Sequence, residues 1–192
     1  GDIFYIHSQL VERACKLDPK HGDGSMTHLP IVETLQGDIA GYIPSNIVSM
    51  TDGQVYMNAV LFGEGFKPAI DMGLSVSRSG NKVQWKAMKK MTGMLQLDFV
   101  RYKELEKLTR IKAGVSADVE ARLKKGRILE EVLKQDPNQP VSMEDQVLTL
   151  YALQHGALES LDPSEVRPRL KEFIELVHRD RPEMLVELRK RG

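Results

Sequence analysis

The segment Gly73-Leu74-Ser75-Val76-Ser77-Arg78 ends in a guanidinium carried on mostly small residues and followed by Ser79-Gly80. That group is permanently charged and planar, and its N–H donors match two oxygens of a phosphate at once. Residue type and setting point to phosphate contact at Arg78. A surface arginine closing a strand fits the same residues and is the commoner arrangement. No phosphate-cradling loop of the form Gly-x-x-x-x-Gly-Lys-Ser/Thr accompanies it. The stretch Gly63-Glu64-Gly65-Phe66-Lys67-Pro68 has glycines and a lysine, but Pro68 stands where Ser or Thr would be and removes an amide donor. A phosphate met by Arg78 must therefore be held by another chain.

Other chemistries find little support. The histidines at 7, 21, 28, 155 and 178 form no pair with metal-ligand spacing, and a single cysteine cannot complete a zinc site, so no metal site is expected. Cys15 lies among residues of helical spacing and reads as a buried structural thiol; one cysteine also excludes an internal disulfide framework. There is no Gly-x-Ser-x-Gly elbow, and Asp23-Gly24 lacks the ligand series of a calcium loop. Lys86, Lys89 and Lys90 beside Trp85 could form a basic-aromatic patch, but a solvated helix face with Trp85 packed inward fits better. Met88, Met91 and Met94 read as core before they read as an adaptable groove.

The chain has 192 residues with 27 Lys and Arg against 27 Asp and Glu, so no global basic footprint for nucleic acid exists. The charge is uneven: residues 1–84 carry a net −3 and residues 85–192 a net +3. This marks a boundary better than a partner. No apolar run approaches the roughly 20 residues a membrane helix needs, and the basic-then-apolar start of a signal peptide is missing.

The elements that must position Arg78 change character near Gln84. Before it, a helix from Asp2 carries Ile3, Ile6, Leu10, Ala14 and Leu17 and stops at Asp18-Pro19. Met26 to Thr34 reads as a buried strand, Ile43-Pro44-Ser45-Asn46 as a turn or short helix start, and Ile47 to Thr51 as a second strand. Asp52-Gly53 reads as a tight turn into a short strand from Gln54 to Met57. These elements suggest α/β architecture but are too few to cover both faces of a sheet, so residues 1–84 look like the later half of a domain. Beyond Gln84 the apolar period is helical. One stripe holds Leu97, Val100, Glu104, Leu108 and Ile111 with Leu105 at its edge; another holds Val119, Leu123, Gly126, Leu129 and Leu133. Ser142 to Asp145 resembles a capping box, opening a helix with Val147, Leu150, Tyr151 and Leu158; Asp162-Pro163 opens the next and Pro182 the last. Residues 85–192 are expected to form an α-helical bundle.

At the level of whole strings the chain closely resembles the C-terminal portion of the alpha subunits of F-type ATP synthases. The resemblance rests on Gly1 to Ser8, Leu10-Val11-Glu12-Arg13-Ala14, Gly24 to Thr27, Leu29 to Thr34, Tyr42 to Gln54, Pro68-Ala69-Ile70, Gly73 to Arg78 and Ala87 to Lys90. It runs from residue 1 to about residue 155 and thins in the last helices. It implies that residues 1–84 are the C-terminal part of a RecA-like nucleotide-binding domain whose phosphate-loop half precedes Gly1, and that residues 85–192 are the helical domain that follows it. The family forms rings of alternating alpha and beta subunits around a central shaft. The implied setting is peripheral, on the cytoplasmic side of an energy-transducing membrane. There, ATP synthesis and hydrolysis are coupled to ion transport.

Roles follow position by position. Arg78 matches the arginine finger that reaches into the neighbouring beta subunit's catalytic site. Ser49 and Gly53 match the segment shaping the phosphate end of that interface, with Ser45 and Ser77 as assistants. Phe62, Lys67, Pro68 and Gln135 match residues near the adenine of alpha's own non-catalytic nucleotide. This sequence departs there, with Lys67 in place of the usual arginine and Pro137 in place of a second glutamine. ATP or ADP with Mg2+ belongs to the full assembly; none is expected to bind this chain alone, which is expected to be inactive and to self-associate through open sheet edges. The rival reading is a stand-alone interaction module built on the helical bundle. An independent nucleotide hydrolase is disfavoured by the absent phosphate loop.

Overall fold

The computed structural model describes residues 2–111 and 116–191. The first helix, α1 (Asp2–Val11), stops short of the expected Leu17. The backbone that would have continued it is taken by a short ladder: Leu17 N donates to Gly24 O (2.8 Å) and Met26 N to Cys15 O (2.9 Å). Cys15 is consequently exposed on this ladder rather than buried in a helix. The loop inside it turns at Asp18, whose carboxylate accepts from Lys20 N, and at Gly22, with φ of 97°.

Residues 26–34 form no strand. A β-strand is stabilised by ladder bonds to neighbours, and past Met26 this segment makes none among the described residues; Leu29 and Ile31 are 82% and 99% exposed. The second expected strand is instead the end of a helix, α2 (Tyr42–Met50). Ile43, Ile47 and Met50 fall at i, i+4 and i+7, a helical period that the β-branched run Ile47-Val48 obscures. Only Ile47 of α2 is buried.

Asp52-Gly53 is not a hairpin turn either. Gly53 is already in β1 (Gly53–Gln54), which pairs antiparallel with β2 (Val76–Ser77), Gly53 opposite Ser77. Between the two strands lie α3 (Ala59–Gly63) and an isolated bridge from Met57 to Ile70. Asn58 caps α3, its Oδ1 accepting from Val60 N (2.8 Å), while its Nδ2 donates to Asp71 Oδ2 (3.1 Å).

The remainder is helical: α4 (Lys86–Thr92), α5 (Leu95–Ile111), α6 (Ala117–Leu133), α7 (Met143–Gln154), α8 (Pro163–Asp180) and α9 (Pro182–Arg191). The expected start signals operate. Ser142 Oγ accepts from Asp145 N, and Asp162 completes a capping box with Glu165. The Asp145 carboxylate does not close a box on Ser142; it lies 2.8 Å from His178 Nε2 and ties α7 to α8.

The buried face of α5 is rotated from the expected stripe. Phe99 and Tyr102 are buried, whereas Leu97 and Leu108 are exposed and the side chain of Ile111 lies outside the described residues. Large aromatic area on one flank outweighs the two leucines on the other. Tyr102 fits against α6 because residue 126 is glycine; a Cβ there would lie 1.9 Å from Tyr102 Cδ2. One core joins Leu61, Phe66 and Ala69 to Phe99, Tyr102, Leu123 and Leu129, so the segment before Gln84 and the helices share it. A second joins Ile128, Ala152, Val166 and Leu170 of α6, α7 and α8 to Leu158, which lies in the turn after α7 and not on that helix as expected. Trp85 is half-buried; Met88 is core, but Met94 is exposed.

Candidate functional site

Arg78 follows β2 directly, and its backbone N–H donates to Asp52 O (2.7 Å), extending the two-strand ladder. Its side chain turns back over the end of α2: Nη1 donates to Ser49 O (3.3 Å) and Nη2 to Val48 O (3.2 Å). A helix leaves its last carbonyls unpaired and carries partial negative charge at that end, so a guanidinium is a natural cap. Two of five donors are used, both in long bonds to neutral acceptors, and no carboxylate among the described residues pairs with it. Exposed, uncompensated and held in a fixed orientation, Arg78 can receive an anionic oxygen pair.

Ser49 and Gly53 are brought to the same place in different ways. The Ser49 carbonyl holds Arg78, but its hydroxyl donates into its own helix at Asn46 O (2.7 Å). Gly53 lets the strands close: a Cβ there would stand 2.3 Å from Val76 O. Thr51 Oγ1 donates to Ile47 O and lies 3.1 Å from Gly53 O, tying α2 to β1. Ser45 and Ser77 serve local backbone, Ser45 Oγ donating to Tyr42 O and Ser77 Oγ accepting from Gly80 N. A guanidinium ending a run of mostly small residues was the readable signal; that it caps α2 needed the helix to be known.

The second group of residues also converges. Phe62, on α3, is 59% exposed, with Lys67 Nζ 4.5 Å from its ring centroid, a cation–π distance. The Lys67–Pro68 peptide is cis. Gln135, just past α6, donates its backbone N–H to Lys67 O (2.8 Å) and its side-chain amide to Gln139 O (2.8 Å). Beneath them Phe66 is fully buried against Phe99, ring centroids 5.3 Å apart. An exposed aromatic face beside a cation and an amide suits a flat heteroaromatic base next to negative charge. The sequence reading missed the supports Glu64, Phe66 and Lys103, since Glu64 meets Lys103 and Phe66 meets Phe99 across spans that no local spacing reveals. No group of three His, Cys, Asp or Glu converges among the described residues.

Two family models match the chain. "ATP synthase alpha/beta family, nucleotide-binding domain" covers residues 1–77 and "ATP synthase alpha/beta chain, C terminal domain" covers residues 84–192. The chain is 44% identical to ATP synthase subunit alpha of Aquifex aeolicus over 188 residues, 98% of the chain and 37% of that protein. With the subunit alpha of Acholeplasma laidlawii it shares 47% identity over 173 residues, 90% of the chain and 34% of the relative. With that of Lacticaseibacillus casei it shares 45% over all 192 residues, 38% of the relative. It spans little more than a third of these relatives' length.

Proposed function

The chain belongs to the ATP synthase alpha/beta family, and from that premise we propose that it works as the C-terminal portion of an alpha subunit in an assembled ring. On this reading residues 1–84 are the later part of a RecA-like nucleotide-binding domain and residues 85–192 a C-terminal helical bundle. Beta subunits and a central shaft are its partners, and ATP synthesis or hydrolysis coupled to ion transport is the activity of the whole. The complex is peripheral, on the cytoplasmic side of an energy-transducing membrane. No described helix is long and apolar enough to cross a bilayer.

The observation that carries the reading is Arg78: exposed, without a carboxylate partner among the described residues, and oriented by two carbonyls it can exchange for better acceptors. Trading neutral carbonyl oxygens for phosphoryl oxygens turns ordinary hydrogen bonds into charge-assisted ones of roughly twice the strength. Donated in trans to a nucleotide on the neighbouring subunit, such a guanidinium lowers the barrier where charge builds up, an effect of roughly 10³–10⁵ in rate. Ser49, through its carbonyl, and Gly53, through the close strand pairing, hold Arg78 in place. Mg2+ neutralises phosphate charge when bound; the described residues offer it no ligand set, and no step here depends on one.

Phe62, Lys67, Pro68 and Gln135 form the adenine end of a separate, non-catalytic ATP or ADP site. Phe62 supplies the stacking face, Lys67 a cation at its side, and Gln135 an amide beyond it.

Calorimetry of the chain with Mg-ATP tests the dependence on partners. No tight binding is expected from the chain alone. Tight, magnesium-dependent binding without partner subunits overturns the reading.

A further inference from the structure

A cluster of charges lies between the Phe62 loop and α5. Glu64, in the turn that ends α3, places Oε1 3.3 Å from Arg110 Nη1 and Oε2 3.8 Å from Lys103 Nζ. Arg110 also reaches Glu106 (3.4 Å), and Lys103 donates to Glu106 (3.3 Å) and to Glu130 of α6 (2.9 Å). The Tyr102 hydroxyl donates to the same Glu130 oxygen (3.0 Å). The Lys103 and Glu130 side chains are only 16% and 14% exposed, where charges are screened less than at the surface. Burial by itself would pull Lys103 down, yet Glu130 and Glu106 hold it above its ordinary value.

The loop has apolar anchors as well. Leu61 and Phe66 sit in the shared core. Apolar burial is non-directional: it sets the depth of a segment without fixing its rotation. A charged hydrogen bond is directional and supplies the missing constraint.

We propose that Glu64 is a positioning residue, whose pairing with Arg110 and Lys103 locks residues 62–68 onto α5 so that Phe62 and Lys67 meet the adenine end of a bound nucleotide in one arrangement. The inference rests on the reading of Phe62, Lys67, Pro68 and Gln135 as an adenine-contacting site. It adds to that reading a physical link between the loop and the helical bundle: a movement of α5 moves the stacking face. The energy of one half-exposed pair is small, but several charges joined in a network are worth more.

The test uses a ring assembled with the full-length alpha subunit bearing these residues and its partner subunits, with Mg-ATP as the probe. The part of Mg-ATP binding that Phe62→Ala removes defines the site. At that site Glu64→Gln should weaken affinity about five- to tenfold. Arg110→Gln should act in the same direction, the double variant should be no worse than Glu64→Gln, and Arg110→Lys, which keeps the charge, should bind nearly as the wild type does. Amide hydrogen exchange should speed up at residues 62–66 in Glu64→Gln and stay unchanged in α6 and α8. Loss of binding in Phe62→Ala with wild-type affinity in Glu64→Gln leaves the adenine site standing and overturns the positioning role. Unchanged binding in Phe62→Ala removes the adenine site and the proposal with it. Unchanged exchange at residues 62–66 in Glu64→Gln also overturns the proposal.

Discussion

Gly126 and Tyr102 show how one small residue sets a helix crossing. The Tyr102 ring occupies the space where a side chain at position 126 would begin, so α5 and α6 approach closely only with glycine there. Gly126→Ala is expected to destabilise the chain by about 1–3 kcal/mol, because either the ring or the helix must move. The gain in helix propensity from alanine, up to about 1 kcal/mol, offsets only part of this. Urea unfolding of the variant checks it; an unchanged midpoint would mean that the crossing has slack. Residue type alone singled out Arg78 as a phosphate-seeking charge, whereas Phe62, Lys67, Pro68 and Gln135 came only from the resemblance of whole strings. Neither revealed Glu64 or Lys103. Charged residues are common on solvated faces, and what distinguishes these two is a partner 39 or 46 positions away in the chain.

At the level of elements, capping chemistry was the most readable signal. Ser142 and Asp162 start α7 and α8 where their side chains find the N–H groups left unpaired by the first turn. Residues 47–51 were read as a strand because β-branched side chains favour one, yet Ile43, Ile47 and Met50 satisfy a helix and Arg78 caps its end. Residues 26–34 show the opposite failure. Their apolar content is strand-like, but a strand's stability lies in its neighbours, which local sequence does not contain. Between α5 and α6 the Lys103–Glu130–Tyr102 group makes stability pH-dependent. Burial would raise Glu130, but hydrogen bonds and charge from Lys103, with help from Tyr102, hold it below its ordinary value of 4.5. A carboxylate depressed in the folded state contributes stability that is fully present above its unfolded value and lost as pH falls through the folded one. Denaturant midpoints should therefore fall as pH drops below the ordinary carboxylate value and through the depressed one of Glu130. Glu130→Gln should flatten that decline while lowering stability at neutral pH, since Lys103 loses its closest partner. An identical acid decline in the variant would show that other carboxylates carry it.

For the whole molecule, the two parts of the chain share a core. Leu61, Phe66 and Ala69 pack with Phe99 and Tyr102, so the loop that presents Phe62 is built on the helical part. Arg78 lies outside this core, directly after β2 and over the end of α2, and is exposed. On the proposed reading, that separation suits a subunit that holds one nucleotide on itself and serves another on its neighbour. The central claim is that Arg78 works in trans. Its most direct test is turnover and nucleotide binding of an assembled ring carrying Arg78→Ala in every alpha subunit. The expected result is a fall in ATP turnover of roughly 10³-fold or more, with catalytic-site nucleotide affinity nearly unchanged. Turnover at the wild-type rate in that ring would contradict it.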